Sequence, residues 1–165
     1  MRDLRSSYEW SCSEMRLRFP WALHQKNGYT CGPCALRHAL LIHGKRVGAA
    51  RIARLAGTTK NEGTDEKGLA RAAEALGFRL DHVLCRTPTE VYRALREAHV
   101  PVLLCVDHYA HWIVAVKTTA RHVEILDSAR GGELLQRLTW REMCRRLIFG
   151  LPDESRFDLY PLVAP

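Results

Sequence analysis

Residues 25–36 read Gln25-Lys26-Asn27-Gly28-Tyr29-Thr30-Cys31-Gly32-Pro33-Cys34-Ala35-Leu36, and the texture of the chain changes at Cys31. Before it lie polar and turn-forming residues. After it an apolar-rich run continues to about His43, where Gly44 offers a left-handed stop. Pro33 suits the first position of a helix, with Cys31 just before it, because the N–H that proline lacks has no helical partner there. The segment therefore predicts a helix opened by Cys31-Gly32-Pro33. A cysteine at that place meets unpaired N–H groups and the positive end of the helix dipole. Both favour the thiolate, which is the nucleophilic form of cysteine. A buried, incidental thiol is the competing reading, and Cys31 alone does not separate the two.

A thiolate nucleophile needs a base, and the base needs a group that orients it. His111 opens an apolar strand-like run, His111-Trp112-Ile113-Val114-Ala115-Val116, and Asp127 closes the next one, Val123-Glu124-Ile125-Leu126-Asp127. Neighbouring antiparallel strands would bring these ends together. The carboxylate would then accept from one imidazole nitrogen and leave the other for the thiol. Gln25 precedes Cys31 by six residues, and its amide could join the Cys31 backbone N–H as an oxyanion hole. Taken singly these signals are weak, since strand-end histidines and aspartates are more often structural. Their order along the chain makes the set specific. His108 is expected in the loop before His111, within reach of a substrate, and Trp112 is a second candidate for substrate contact.

Around this set the chain divides unevenly. A short helix is expected over 48–56, and another after Gly63, with Thr64 as N-cap and Leu69, Ala72, Ala73 and Leu76 at helical spacing. Residues 79–85 read as a strand. Thr87-Pro88-Thr89-Glu90 is a capping box that starts a helix to about Ala98, and Thr139 with Glu142 forms a second one, for a helix to about Ile148. Val102–Val106, Trp112–Lys117, Val123–Leu126 and Phe157–Val163 read as strands. Helices come first and strands mostly later, which predicts an α+β fold. One domain over 21–165 is expected, with residues 1–20 as an N-terminal extension of unassigned role.

The 165 residues carry 47% apolar and 26% charged side chains, ordinary for a globular chain with a real core. The net charge of +7 comes from 25 basic and 18 acidic residues. Arg93, Arg96, Arg141, Arg145 and Arg146 fall on polar faces of expected helices, which reads as solvated surface. No aromatic-rich basic ribbon suggests a nucleic-acid partner. No signal-like segment opens the chain, no run of about 20 apolar residues could span a membrane, and Cys105 sits in an apolar run, so a reducing, cytoplasmic setting is expected.

The spacing Gln25–Cys31-Gly32, then Gly63-Thr64, Gly68-Leu69 and Ala72-Ala73-Glu74-Ala75-Leu76-Gly77, then the His111 strand and the Asp127 turn, resembles the bacteriocin-processing peptidases over roughly residues 20–150. These papain-like enzymes cut leader peptides after a double glycine. The resemblance implies a papain-like α+β fold with the site in a cleft between a helical half and an antiparallel sheet. It also implies a peptide or protein substrate, no metal or organic cofactor, and an export machine as partner. This chain resembles a stand-alone version. It departs from the family at Thr30, where aspartate is usual, and at Ser128, where proline usually follows the orienting aspartate.

Three other readings stay open. Cys31-Gly32-Pro33-Cys34 is also the thioredoxin tetrapeptide, although the polar segment before it and the helix-first order oppose that fold. Cys31, Cys34, His108 and His111 could form a zinc set, without the paired knuckle such sites usually show. A binding-only domain is the third. Cys34 is expected to pack in the core, and its spacing from Cys31 would also permit a reversible disulfide.

Overall fold

The computed structural model describes residues 21–147 and 156–165; the N-terminal segment 1–20 lies outside the described residues. Helix α1 spans Cys31–Ile42, α2 Ala49–Ala56 and α3 Glu66–Ala75. Two short strands follow, β1 (Arg79–Leu80) and β2 (Val83–Cys85), then α4 (Pro88–Glu97). The remaining elements are β3 (Val102–Val106), β4 (His111–Thr118), β5 (His122–Leu126), β6 (Leu135–Thr139), α5 (Trp140–Leu147) and β7 (Phe157–Val163). The α+β expectation holds.

Every strand pairing is antiparallel. The order is β1-β7-β3-β4-β5-β6, with β2 also on β7. The last strand thus lies inside the sheet, between β3 and the β1/β2 edge. Helices cover both faces. Leu103, Cys105, Trp112, Val114 and Leu126 meet α1, α2 and α3 through Leu36, Leu40, Ile52 and Leu69. Val102, Leu104, Val106, Ile113 and Ile125 meet α4 and α5 through Val91, Leu95, Met143 and Leu147. Double coverage is the reason β3 reads Val-Leu-Leu-Cys-Val with no polar alternation.

Local chemistry sets the boundaries. Thr87 caps α4 by accepting from the Glu90 N–H at 3.2 Å. At α5 the Thr139–Glu142 capping box is reciprocal: the Glu142 N–H donates to Thr139 Oγ1 and the Thr139 N–H to Glu142 Oε2, at 3.3 and 2.7 Å. The N-cap of α3 is Asp65, not Thr64. Asp65 Oδ1 accepts from the Gly68 N–H at 2.7 Å. The Thr64 hydroxyl instead meets Thr58 at 2.6 Å. Helix α1 begins at Cys31 itself, so Pro33 is its third residue. The strand expected over 79–85 is broken in two, and both pieces pair with β7. β6 was not foreseen.

Two glycines allow close packing beside the site. A Cβ on Gly32 would stand 3.1 Å from Thr64 Cβ and 3.3 Å from the Trp112 ring. A Cβ on Gly68 would lie 2.5 Å from the Ala56 carbonyl oxygen, so only glycine lets α3 approach α2 this closely.

Candidate active site

Cys31 is the first residue of α1, and α1 packs across the sheet next to the start of β4. Its N–H therefore has no acceptor within the helix. His111 is the first residue of β4, and Asp127 follows the last residue of β5. The register pairs Val114 with Leu126. Continued by one step, it sets Asp127 opposite Ile113, on the same side of the pleat as His111 two residues away. The two side chains meet: His111 Nε2 lies 2.6 Å from Asp127 Oδ1. That contact leaves Nδ1 for the Cys31 thiol, to which His111 is hydrogen-bonded.

The charges follow from this arrangement. Burial pushes the Cys31 thiol up, but the His111 hydrogen bond, the Trp112 backbone and the His111 charge outweigh it, and the pKa falls below its ordinary value. Burial pushes His111 down, while hydrogen bonds to Asp127 and Cys31 and their charges carry it up to about 9. Burial likewise opposes ionisation of Asp127. The His111 hydrogen bond, the Ala129 N–H and the charges of His111 and Arg146 overcome that and hold it at about 2. Both shifts favour a thiolate beside an imidazolium over the neutral pair.

Gln25 is buried and held on several sides by the turn after β5. Its N–H donates to the Ser128 carbonyl at 2.8 Å. The Ser128 hydroxyl donates to its Oε1 at 3.0 Å. Its Nε2 donates to the Asn27 carbonyl at 2.8 Å, which uses one of its two hydrogens. Arg130 donates to the Gln25 carbonyl at 3.0 Å and to that of Lys26, and His24 Nδ1 donates to the Ala129 carbonyl at 2.8 Å. Thr30 does not cap α1; its hydroxyl donates to Asn27 Oδ1 at 2.9 Å.

The other expected residues are spread around this centre. His108 is exposed in the β3–β4 turn, where Asp107, His108 and Tyr109 all have positive φ, at 56, 60 and 58°. Trp112 is in the core, with its N–H donated to the Thr64 carbonyl at 2.9 Å, and it backs Gly32. Cys34 is buried beside Thr30 and Ser128, and burial raises its thiol. The five described cysteines are unpaired. Among the described residues no three potential ligands group to hold a metal, and no helix is long and apolar enough to cross a membrane.

Sequence reasoning missed Arg146. It was read as solvated surface, yet it is half-buried and donates to Asp127 Oδ2 at 3.1 Å and to Asp107 Oδ2 at 2.6 Å. Its helical spacing carried a hint, since it lies next to the buried Leu147 and three residues from the buried Met143.

Comparison with known proteins identifies the family and the fold. The family model for the peptidase C39 family matches residues 20–142. An uncharacterised protein of Methanothermobacter marburgensis is 33% identical over 109 residues, 66% of this chain and 72% of its own length. Among solved structures, a double glycine motif protease from an AMS/PCAT transporter, in complex with its leader peptide, superposes with a TM-score of 0.67 at 15% identity, covering 87% of this chain and 91% of that one. The peptidase domain of Streptococcus ComA, a bi-functional ABC transporter, gives 0.65 at 19% identity over 87% and 97%. A putative C39-like peptidase from Bacillus anthracis gives 0.59 at 15% over 84% and 92%. The fold is that of the papain-like C39 peptidase domains, and with the family model matched from the Gln25 loop to the start of α5, this chain belongs to the peptidase C39 family.

Proposed function

We propose that residues 21–165 form a cysteine peptidase domain, with residues 1–20 as an extension, and that Cys31 is its nucleophile. The carrying observation is the 2.6 Å contact of His111 with Asp127, with the histidine also hydrogen-bonded to a cysteine at a helix start. The Cys31 thiolate attacks a substrate carbonyl carbon. The Cys31 N–H and the second Nε2 hydrogen of Gln25 receive the oxyanion. His111, oriented by Asp127, gives its proton to the leaving amine, and a water activated by the imidazole then releases the acyl group.

The substrate is a peptide cut after small residues. The leader peptide in the double glycine motif protease complex and the family match support this reading. The relatives within ABC transporters support an export machine as partner. The antiparallel sheet and the His111–Asp127 pair weigh against thiol–disulfide exchange as the main chemistry.

The test is digestion of a diverse peptide library by wild type, Cys31→Ala and His111→Ala, with new termini read by mass spectrometry. Cleavage after glycine, alanine or serine by wild type alone is expected. Cleavage retained by Cys31→Ala, or wild-type protein that cuts nothing yet reduces disulfides through Cys31 and Cys34, would overturn the reading.

A further inference from the structure

The carboxylate of Asp127 has two oxygens with different tasks. Oδ1 receives His111 at 2.6 Å and the Ala129 N–H at 2.9 Å. Oδ2 receives Nη1 of Arg146 at 3.1 Å. The same guanidinium grips Asp107 through Nε, at 3.1 and 3.2 Å to its two oxygens, and through Nη2, at 2.6 Å. The Arg146 carbonyl also accepts the Asp107 N–H at 2.9 Å. One residue of α5 thus ties the orienting carboxylate to the turn that delivers His111 into β4. Three consecutive side-chain-bearing residues of that turn have positive φ, a conformation that L side chains rarely adopt unless the surroundings hold it.

Arg146 lies beyond the segment matched by the family model, which ends at residue 142. We propose that Arg146 is a positioning residue of this site. It fixes the Asp127 carboxylate from behind and cancels part of its charge, so that Asp127 aligns the imidazolium without trapping its proton. The proposal deepens the peptidase reading and rests on the Cys31–His111–Asp127 assignment. A lone buried carboxylate would hold the imidazolium proton more tightly than the leaving amine requires. With a guanidinium on its far oxygen it acts more nearly as a neutral acceptor.

The charged groups around the pair come from several elements. From α1, Cys31 faces His111, and His38 faces Asp127, with Arg37 and His24 beyond it. From the β3–β4 turn comes Asp107, and from α5 comes Arg146. Arg146 is the cation that hydrogen-bonds the Asp127 carboxylate from behind. At roughly 6 Å across the carboxylate, with an effective dielectric constant of about 20 and a half-buried guanidinium, its removal should move the His111 titration by on the order of one pH unit.

The experiment is ¹⁵N NMR titration of the His111 ring in wild type, Arg146→Met and Asp107→Asn, with Cys31 alkylation by iodoacetamide followed across the same pH range. None of these readouts needs a substrate, so a failed library digestion would sink the peptidase reading without touching this result. Arg146→Met should titrate about one unit higher than wild type, and Arg146→Lys should restore most of the difference. Asp107→Asn leaves the guanidinium to Asp127 alone and should titrate lower. It keeps the α5 contact with Asp127 intact should the methionine variant fail to fold. His111 titrating at the wild-type pH in Arg146→Met, or no downward shift in Asp107→Asn, overturns the proposal.

Discussion

His38 makes stability depend on pH in a way that can be isolated by one substitution. It lies two turns after Cys31 on α1 and is 1% exposed. Nε2 accepts the Leu23 N–H at 3.2 Å, so the ring proton is on Nδ1, and that atom has no acceptor among the described residues. Burial, then repulsion from Arg37, lowers its pKa from 6.5 to about 4. An unfolded chain protonates near the ordinary value. Stability is therefore full above pH 6.5 and falls as the pH drops toward 4, because the unfolded state takes up the proton first. About 2.5 units at 1.36 kcal/mol each gives a loss of about 3 kcal/mol. His38→Gln can still accept from Leu23 but does not titrate. Urea unfolding of both proteins between about pH 4 and 7, followed by tryptophan fluorescence, should show the variant gaining about 2–3 kcal/mol on wild type toward the acid end. Asp127 titrates near 2 in both and cancels from the difference. A difference that stays constant with pH would refute the reasoning and mean that His38 is not held neutral.

Four further outcomes follow from the same geometry. Ser128→Ala removes the donor that fixes Gln25 Oε1, and should lower kcat roughly 10- to 100-fold at unchanged iodoacetamide reactivity of Cys31, with Ser128→Thr restoring activity. Gly68→Ala should cost about 2 kcal/mol or more in urea unfolding, because its Cβ would press on the Ala56 carbonyl, whereas Gly28→Ala, with open space around it, should change stability by less than about 0.5 kcal/mol. His111 is raised to about 9, so its contribution is full below pH 6.5 and is lost as the pH rises through 9; His111→Gln should flatten that alkaline decline. Cys34→Ala should leave peptide cleavage within a few-fold of wild type.

What could be read from the chain was local. The proline and glycine signals around Cys31, the two capping boxes and the β-branched runs of β3, β4 and β5 each act over a few residues, and each element lies close to where the sequence put it. β6 escaped because Gln136 and Arg137 break its apolar pattern; it is an edge strand with no fully buried residue. The residues that hold the site in place were harder to read because their partners are distant. Ser128 meets Gln25 across 103 positions and Arg146 meets Asp127 across 19, and no periodicity records either hydrogen bond. Arg146 was mistaken for surface because its charge and its place in the last turn of a helix rich in arginine are those of a solvated side chain. Only its neighbours in space, Asp107 and Asp127, make it otherwise.

The place of β7 inside the sheet has a bearing on synthesis. β3, which leads through its turn to His111, gains its second neighbour only from residues 159–161. A ribosome must therefore deliver the chain through residue 161 before β3 is flanked on both sides. Cys31 emerges early and waits through more than a hundred residues for the strand that completes the sheet around its base.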